Sequence, residues 1–388
     1  MQHSEIQRNH AKLGTVLKHI YASEVVLEHT HVLKKNLLMS FLGQFKSFCS
    51  RKSPEFCTLF QDYYLTGSYF EGLRVKEATE FDVNVVFSFP LPDSGYSVTE
   101  LDVPLSYATY QLKQSYPEFP MCGKIKSFFD DDNYLIGQNV LKWFESLLDG
   151  FITYTDLELY GVLQVKTTQS GPARTLKVFW KDYVWISIDL VPVILLDTKH
   201  LHKYTACEGL NSLDSLSTCY LVPKPLKSEL SCLISSDLVS RVWRIHFPET
   251  EKQFLRGKNY MKSTIQLIKA LRDKENWPIP SYFIKIIGLW LIQKHPSEEQ
   301  YNDDKIGSLF IEFLEEMKEC FVNGYLGHIL YPDFNLLHSI NTATLTQLQN
   351  RIKNIIKKLQ RKPKWAFQLY QMVVPSDFPQ KSPHLLCI

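Results

Sequence analysis

At 388 residues, with 45% hydrophobic and 22% charged side chains, the chain is long enough for one large core or two packed lobes, and its composition excludes a largely disordered protein. The formal net charge of +2 excludes attraction to nucleic acid through a global positive field, so any such attraction requires local basic patches. The polar first residues predict no signal peptide, no apolar run approaches the roughly 18 residues of a membrane span, and none of the eight cysteines has CxxC or zinc-finger spacing. We therefore expect reduced thiols and a cytoplasmic protein with no membrane partner.

Apolar periodicity predicts three regions in chain order. A helical period without proline runs from Glu5 to about Phe48 and predicts one or two long helices. A mixed α/β region follows, with predicted strands at Glu80–Phe89, Gly161–Thr167, Leu176–Phe179 and Val184–Leu195 and a predicted helix at Asn139–Phe151. After Pro225 the pattern is helical, at Ser263–Leu271, Tyr282–Gln293, Ile306–Phe321 and Leu345–Leu359. The predicted divisions are 1–60, 61–220 and 221–388.

Three carboxylates in the predicted strands carry the strongest chemical signal. Residues two apart on a strand point to the same face, so Glu80 and Asp82 project side by side. Asp189 interrupts an otherwise apolar strand, where an acid is costly to bury unless it is paired or bound to metal. Three convergent carboxylates suit Mg²⁺ or Mn²⁺ and the two-metal chemistry that transfers nucleotides.

A small-residue turn, Gly67-Ser68, precedes these acids. Glycine lets the backbone approach a triphosphate, and serine offers a hydroxyl and an N–H group. Each element has a plainer interpretation when it is taken alone: a solvated strand face for Glu80 and Asp82, an ordinary turn for Gly67-Ser68, and a hydrogen-bonded structural acid for Asp189. The order of the elements, with a strand for each group of acids, favours a nucleotidyl-transfer site.

These residues resemble the cyclic GMP-AMP synthase family and its animal relatives, the cGAS-like receptors. The matching segments are Leu65–Val75, Glu80–Val83, Ile188–Pro192, Tyr220–Lys224, Trp243–Lys252, Ser281–Lys285 and Pro332–Leu336. The resemblance implies an α+β, bilobed nucleotidyltransferase fold, in which a twisted mixed β-sheet lobe with a long N-terminal spine helix is joined to a C-terminal helical lobe. It also implies that the spine helix transmits ligand binding to the active site.

The resemblance implies roles for individual residues. Gly67 and Ser68 would hold the triphosphate, and Glu80, Asp82 and Asp189 would be both catalytic residues and metal ligands. The other nucleotide contacts would be Arg244, Glu251 at a base edge, Tyr282 stacked on a base, Ser281 and Lys285 beside it, and Lys269 on phosphate with Lys262 as its rival. Plainer interpretations stay open: a core position for Tyr282, a surface ion pair for Arg244, and solvated helix faces for Lys269 and Lys285.

The chain departs from the vertebrate synthase between Trp243 and the next helix. The interval Phe254–Tyr260 contains no cysteine or histidine, so we expect no zinc and no zinc-binding thumb. This departure resembles the insect-type receptors, whose ligand is double-stranded RNA. His246 and Pro248 leave the base preference open. We expect no long basic tail before the first helix.

RNA of A-form geometry is bound mainly through phosphates and shape, which calls for a basic surface. The candidate RNA-binding residues are Lys46, Arg51, Lys52, Arg241, Arg256, Lys258 and Lys262. A denser basic cluster at Arg351–Lys364 is either a second candidate or a solvated helix face.

The resulting hypothesis is an innate immune sensor that double-stranded RNA activates to make a cyclic GMP-AMP type messenger from ATP and GTP, with signalling to STING. A homodimer formed on the ligand is a further expectation. Two alternatives remain, namely a catalytically silent binding or signalling protein and a nucleotidyltransferase that makes linear products.

Overall fold

Two sets of packed elements account for the fold of the chain. A computed structural model describes residues 2–26, 30–113, 123–154, 165–180, 183–204, 217–226, 228–295 and 305–372. By its internal contacts the chain divides into a sheet unit, Leu27–Gly257 with Gly327–Asn335, and a helical unit, Met1–Val26, Lys258–Leu326 and Leu336–Ile388.

The helices of the described residues occur in both units. They are α1 (Gln2–Glu24), α2 (His31–Lys52), α3 (Pro54–Leu59), α4 (Gly67–Phe70), α5 (Gly123–Lys126), α6 (Gly137–Tyr154), α7 (Ser228–Ser231), α8 (Ser236–Val239), α9 (Pro248–Phe254), α10 (Asn259–Lys274), α11 (Ser281–Lys294), α12 (Ile306–Asn323), α13 (Thr342–Arg361) and α14 (Trp365–Leu369).

The strands found among the described residues all belong to the sheet unit. They are β1 (Phe60–Thr66), β2 (Glu80–Phe87), β3 (Tyr96–Thr99), β4 (Tyr107–Leu112), β5 (Val165–Ser170), β6 (Ala173–Trp180), β7 (Tyr183–Asp197), β8 (Thr218–Val222), β9 (Val242–His246), β10 (Gly327–His328) and β11 (Tyr331–Asn335). Nine of them form one sheet in the order β1-β2-β7-β8-β9-β4-β3, with a β5–β6 hairpin attached to β7. The β2–β7 pair is parallel and its other pairs are antiparallel, so the predicted mixed sheet is confirmed.

Alternation along β2 explains how the sheet is anchored. Phe81, Val83, Val85 and Phe87 are buried on one face, and the ring of Phe87 lies 5.2 Å from Trp143 of α6. Phenylalanines of α2, α3 and α6 extend this aromatic core with edge-to-face contacts. The packing leaves the opposite face of β2, with Glu80 and Asp82, for chemistry.

In the helical unit, α10, α11, α12 and α13 carry the apolar faces that the sequence predicts. Their bounds contain all four predicted C-terminal helices, and α1 packs with them. The buried Tyr370 hydroxyl donates a 2.8 Å hydrogen bond to the carbonyl oxygen of Leu267 in α10. The predicted α+β class with a helical C-terminal region is therefore confirmed.

Some local predictions need correction or completion. The sequence predicts a helix-rich region after Pro225 and names no strand there, but β9 pairs with both β8 and β4, and β10 pairs with β11. The N-terminal helical pattern forms two helices, α1 in the helical unit and α2 in the sheet unit. The turn at Gly171 joins β5 and β6 with a left-handed backbone (φ 57°). Residues 161–164 of the predicted strand Gly161–Thr167 lie outside the described residues. The predicted division at residues 60 and 220 stays a prediction.

The expected reduced thiols and the expected lack of a membrane span concern the cysteines and the long helices. Cys49, Cys57, Cys219 and Cys320 are free thiols, as the sequence predicts. Among the described residues, no helix combines the length and the apolar character that crossing a membrane requires.

Close packing of α1 on α12 depends on a glycine. A β-carbon added at Gly307 would overlap the carbonyl oxygen of His10 and lie 2.7 Å from the amide nitrogen of Gly14. We expect Gly307→Ala to lower the free energy of unfolding by about 1–3 kcal/mol, because two helix backbones must separate. Urea denaturation followed by circular dichroism measures this.

Gly43→Ala is the matched control. Gly43 lies inside α2 with no atom within 4 Å of an added β-carbon. Alanine should raise the free energy of unfolding there by about 0.5–1 kcal/mol. Equal effects of the two substitutions would contradict the packing explanation.

Candidate active site

Strand pairing brings the three predicted acids together. Asp82 of β2 and Asp189 of β7 are direct partners in the parallel register, and Glu80 lies two residues before Asp82 on the same face. One carboxylate oxygen from each acid lies within 4.8 Å of the others. The acids converge as the sequence predicts. Their role as metal ligands stays a prediction.

The electrostatics of this cluster favour a bound cation. Burial, followed by the charges of Glu80, Asp189 and Glu71, raises the pKa of Asp82 to about 7, against a smaller opposing effect of Arg74. Burial also raises the pKa of Asp189. A divalent ion would offset this crowding of negative charge, and carboxylate oxygens are the ligands that Mg²⁺ prefers. The donor set therefore fits such an ion.

Two polar side chains hold the carboxylates of Asp189 and Glu80 in place. Thr175 of β6 donates a 2.5 Å hydrogen bond from Oγ1 to Oδ1 of Asp189. Arg74 places Nη1 3.0 Å from Oε2 of Glu80 and donates from Nη2 to Thr79 Oγ1 at 2.7 Å. Sequence reasoning missed both residues, since the only signal was that Arg74 lies in the charged turn before β2 and Thr175 in the strand that pairs with β7.

The turn that carries Gly67 lies directly against Asp82. Gly67 has a left-handed backbone (φ 77°), and a β-carbon there would overlap Oδ2 of Asp82. The carbonyl oxygen of Ser68 accepts a 2.7 Å hydrogen bond from the amide of Leu73, which closes the turn. Only glycine lets this backbone approach the acid so closely.

Arg244 lies on the same face of the sheet as the acids. Asp189 and Val193 share a face of β7, and Val193 packs with Val222, the register partner of Arg244. Two strand spacings, roughly 10 Å, separate β7 from β9. Arg244 also hydrogen-bonds Tyr107, its register partner on β4. Burial raises the pKa of Tyr107, and the charge and the hydrogen bond of Arg244 partly offset this rise.

Comparison with known proteins identifies the domains in which this arrangement lies. Residues 69–257 match the Mab-21 protein nucleotidyltransferase domain, and residues 260–354 match the Mab-21 protein HhH/H2TH-like domain. Together the two matches cover more than half of the chain. The chain belongs to the Mab-21 family. It therefore carries a nucleotidyltransferase domain, and the acids lie within it.

Curated relatives of this Mab-21 protein are named cyclic GMP-AMP synthase-like receptors. One from Microplitis demolitor is 24% identical over 89% of this chain and 65% of its own length. Another from Aethina tumida is 24% identical over 90% of this chain and 88% of its own. A third from Trichogramma pretiosum is 28% identical over 79% of this chain and 64% of its own. The matches thus span slightly less than two thirds of the first and third relatives.

Glu251, predicted to contact a base edge, is fully buried in α9 of the Mab-21 nucleotidyltransferase domain. Its Oε1 lies 4.0 Å from Nε2 of His328 in β10. Nδ1 of His328 accepts a 3.2 Å hydrogen bond from the amide of Leu330, so a neutral ring carries its proton on Nε2, toward Glu251. A base would reach this carboxylate only after neighbouring side chains move, and the predicted role stays a prediction.

The remaining predicted nucleotide contacts belong to the helical unit. Ser281 and Tyr282 begin α11, and Nζ of Lys285 lies 6.0 Å from the centre of the Tyr282 ring. Lys269 of α10 and Lys285 are 7% and 8% exposed, which excludes the solvated-face interpretation for both. Their predicted nucleotide contacts stay predictions. Lys262, the rival of Lys269, is half-buried in α10.

The candidate RNA-binding cations differ in how they are engaged. Arg241 is held by Asp130 and Asp132, each at 2.6 Å, and stacks 4.3 Å from the centre of the Tyr134 ring. Local acids thus largely satisfy its charge. The other candidates differ in exposure. The exposed ones are Lys46, Arg51, Lys52 and Arg256, and the half-buried ones are Lys258 and Lys262.

The second basic cluster is partly engaged as well. Arg351 makes two hydrogen bonds, of 2.6 and 3.0 Å, to the carboxylate of Glu275. Nζ of Lys358 lies 4.6 Å from the centre of the Trp365 ring. Both contacts lie within the helical unit and favour a structural role for these two residues.

Asp82→Asn should stabilise the ion-free protein. The pKa of Asp82 is about 7 in the fold and near 3.8 in the unfolded chain, so wild-type stability falls as pH rises through this interval. Asparagine imitates the neutral acid. We expect it to raise the free energy of unfolding by about 1–3 kcal/mol at about pH 8 and by little at about pH 4. Denaturation in the presence of a chelator measures both.

Asp131→Asn, at an exposed position, is the matched control and should change stability at neither pH. A wild-type curve that is flat across this pH range would contradict the electrostatic account of the cluster.

Gly67→Ala should impair nucleotidyl transfer strongly. The new β-carbon would displace the Asp82 carboxylate, and small displacements of reacting groups cost on the order of 100-fold in rate. Gly171→Ala adds the same left-handed strain (φ 57°) where no atom lies within 4 Å. Release of pyrophosphate measures both variants. A loss that is as large in Gly171→Ala would assign the effect to strain alone.

Proposed function

We propose that the chain is a double-stranded-RNA-activated synthase that joins ATP and GTP into a cyclic GMP-AMP type dinucleotide. The observation that carries the proposal is the meeting of Glu80, Asp82 and Asp189 within 4.8 Å, against a glycine turn, in a Mab-21 nucleotidyltransferase domain. The names of the insect relatives support the cyclic product. The proposal includes a cytoplasmic location, an RNA-induced homodimer and signalling to STING.

The acids and the turn suit transfer of a nucleotidyl group. Mg²⁺ or Mn²⁺, held by Glu80, Asp82 and Asp189, would supply charge stabilisation to the phosphoryl oxygens. The backbone at Gly67 and Ser68 would receive the triphosphate. A 2′- or 3′-hydroxyl of the second nucleotide would form a bond to the α-phosphorus as pyrophosphate leaves, and its proton would pass to a carboxylate of the cluster or to solvent. Repetition within the linear product would close the ring.

The side chains around the acids would contribute by orientation. Arg74 fixes the Glu80 carboxylate, and Thr175 fixes that of Asp189, so neither acid needs to reorganise when substrate arrives. Arg244, on the same sheet face, would meet the second nucleotide. We assign Lys269, Ser281, Tyr282 and Lys285 to nucleotide contacts on the strength of the resemblance.

RNA binding would use the exposed cations at the end of α2. Lys46, Arg51 and Lys52 lie within its last two turns, and Arg256 is exposed in the sheet unit. Such a surface binds phosphates without reading bases and should weaken steeply with salt. Because Arg241 is engaged with two aspartates, we give it no part in this surface.

Chromatography of the products from ATP, GTP or both tests the proposal. We expect a cyclic heterodinucleotide only with both nucleotides, divalent ion and long double-stranded RNA. Asp189→Asn and Glu80→Gln should abolish product while retaining the fold and RNA binding, because the carboxylates hold no part of the core. Asp131→Asn should keep full activity.

Each other outcome supports a different function. Retained turnover in Asp189→Asn or Glu80→Gln would refute the metal assignment. Linear oligonucleotides would favour another nucleotidyltransferase, and no product under any condition would favour a silent signalling protein. A parallel incubation with double-stranded DNA would replace the RNA assignment if it gave the stronger activation.

A further inference from the structure

The first residue of α2 contacts the turn that carries Gly67 and Ser68. Nδ1 of His31 and the hydroxyl oxygen of Tyr69 lie 3.0 Å apart, and both side chains are half-buried. Tyr69 directly follows Ser68 in α4, so this hydroxyl is attached to the segment that lies against Asp82. One side-chain hydrogen bond therefore joins α2 to the glycine turn.

The ring of Tyr69 is fixed to the strand of the acids. It makes an edge contact with Phe81, with centroids 4.9 Å apart, and another with Phe70 at 5.0 Å. Phe81 lies between Glu80 and Asp82 in β2. The ring of Tyr69 is thus held by β2 and its hydroxyl by α2, so the two contacts together set the orientation of α4.

The turn needs such outside contacts because it is short. A four-residue helix cannot hold its own conformation, since helix nucleation is unfavourable and few internal bonds repay it. Within the turn, the amide of Glu71 donates to the carbonyl of Gly67 at 3.1 Å, and that of Leu73 donates to the carbonyl of Ser68 at 2.7 Å. Tertiary contacts must therefore decide where Gly67 lies relative to Asp82.

We propose that the His31–Tyr69 hydrogen bond is a positioning contact for nucleotide binding, which holds the Gly67–Ser68 turn where it can receive a triphosphate. This rests on the proposed function, from which it takes the role of the turn. Neither side chain touches the reacting atoms, so both are positioning residues. Loss of the bond lets α4 rotate on its aromatic contacts and weakens the grip on the triphosphate.

The chain offers a matched comparison in Tyr63. Its hydroxyl also bonds to α2, where it donates to the carbonyl oxygen of Leu42 at 3.1 Å. Tyr63 pairs with Val85 in the sheet and therefore faces the core, away from the acids. Tyr63→Phe thus removes a tyrosine hydroxyl bond to the same helix without touching the turn.

Two measurements test the proposal. Calorimetric titration with α,β-methylene-ATP and Mg²⁺ gives the Kd of the nucleotide, and steady-state kinetics give KM and kcat for ATP. Tyr69→Phe and His31→Ala should each raise the Kd and KM roughly three- to tenfold, the usual effect of one lost hydrogen bond, with kcat nearly unchanged. The double variant should lose no more than either single one, because both changes remove one bond. His31→Asn should stay near wild type, since asparagine Oδ1 can occupy the place of Nδ1, and Tyr63→Phe should not change affinity.

Unchanged affinity in Tyr69→Phe would overturn the proposal. An equal loss in Tyr69→Phe and Tyr63→Phe would overturn it as well, because the effect would then be one of general stability. Wild-type protein that binds the analogue but makes no product would sink the proposed function, while the affinities of the variants would still decide this proposal. If wild-type protein binds no analogue, both are overturned.

Discussion

The parallel pairing of β2 with β7 is the constraint on which the site depends. It sets Asp82 directly opposite Asp189, although more than a hundred residues separate them in the chain. A shift of one residue in this register would turn either Asp189, or Glu80 and Asp82 together, into the apolar face and break up the cluster. The register is secured from the opposite face, where Phe81, Val83 and Val85 are buried and cannot move without exposing apolar surface.

This geometry lowers the stability of the folded protein. Asp82 is held at a raised pKa by burial and by its acidic neighbours, and the Gly67 turn keeps it covered. A protein with no use for the cluster would gain stability by replacing one acid, since one neutral side chain removes most of the repulsion. The intact cluster therefore argues against a purely structural role, and the same reasoning explains why a cation would stabilise the fold when it binds.

Sequence patterns predicted the parts of the site that follow a regular period. The spacing of Glu80 and Asp82 and the isolated Asp189 were sufficient, because alternation fixes side-chain direction in strands. Arg74 and Thr175 were missed because no period links a turn residue or a neighbouring strand to an acid. β9 was missed because Val242–His246 is too short to outweigh its helical surroundings, and its strand conformation comes from pairing on both edges. The burial of Glu251 and Lys269 depends on tertiary packing that no local pattern encodes.

Glu100, another buried acid of the sheet unit, shows how a structural carboxylate differs from these acids. Its Oε2 accepts hydrogen bonds from the backbone amides of His202 and Lys203, at 2.6 and 2.9 Å, and its Oε1 accepts one from the Tyr331 hydroxyl at 2.9 Å. The protein thus satisfies both of its oxygens. Asp82 differs, because burial and then the charges of Glu80, Asp189 and Glu71 raise its pKa, against a smaller opposing effect of Arg74. An acid surrounded by donors needs nothing further, whereas the acids around Asp82 outweigh the single opposing charge of Arg74, and a bound cation would offset the excess. This contrast within one unit distinguishes Asp82 from a structural carboxylate and favours a metal-binding role for it.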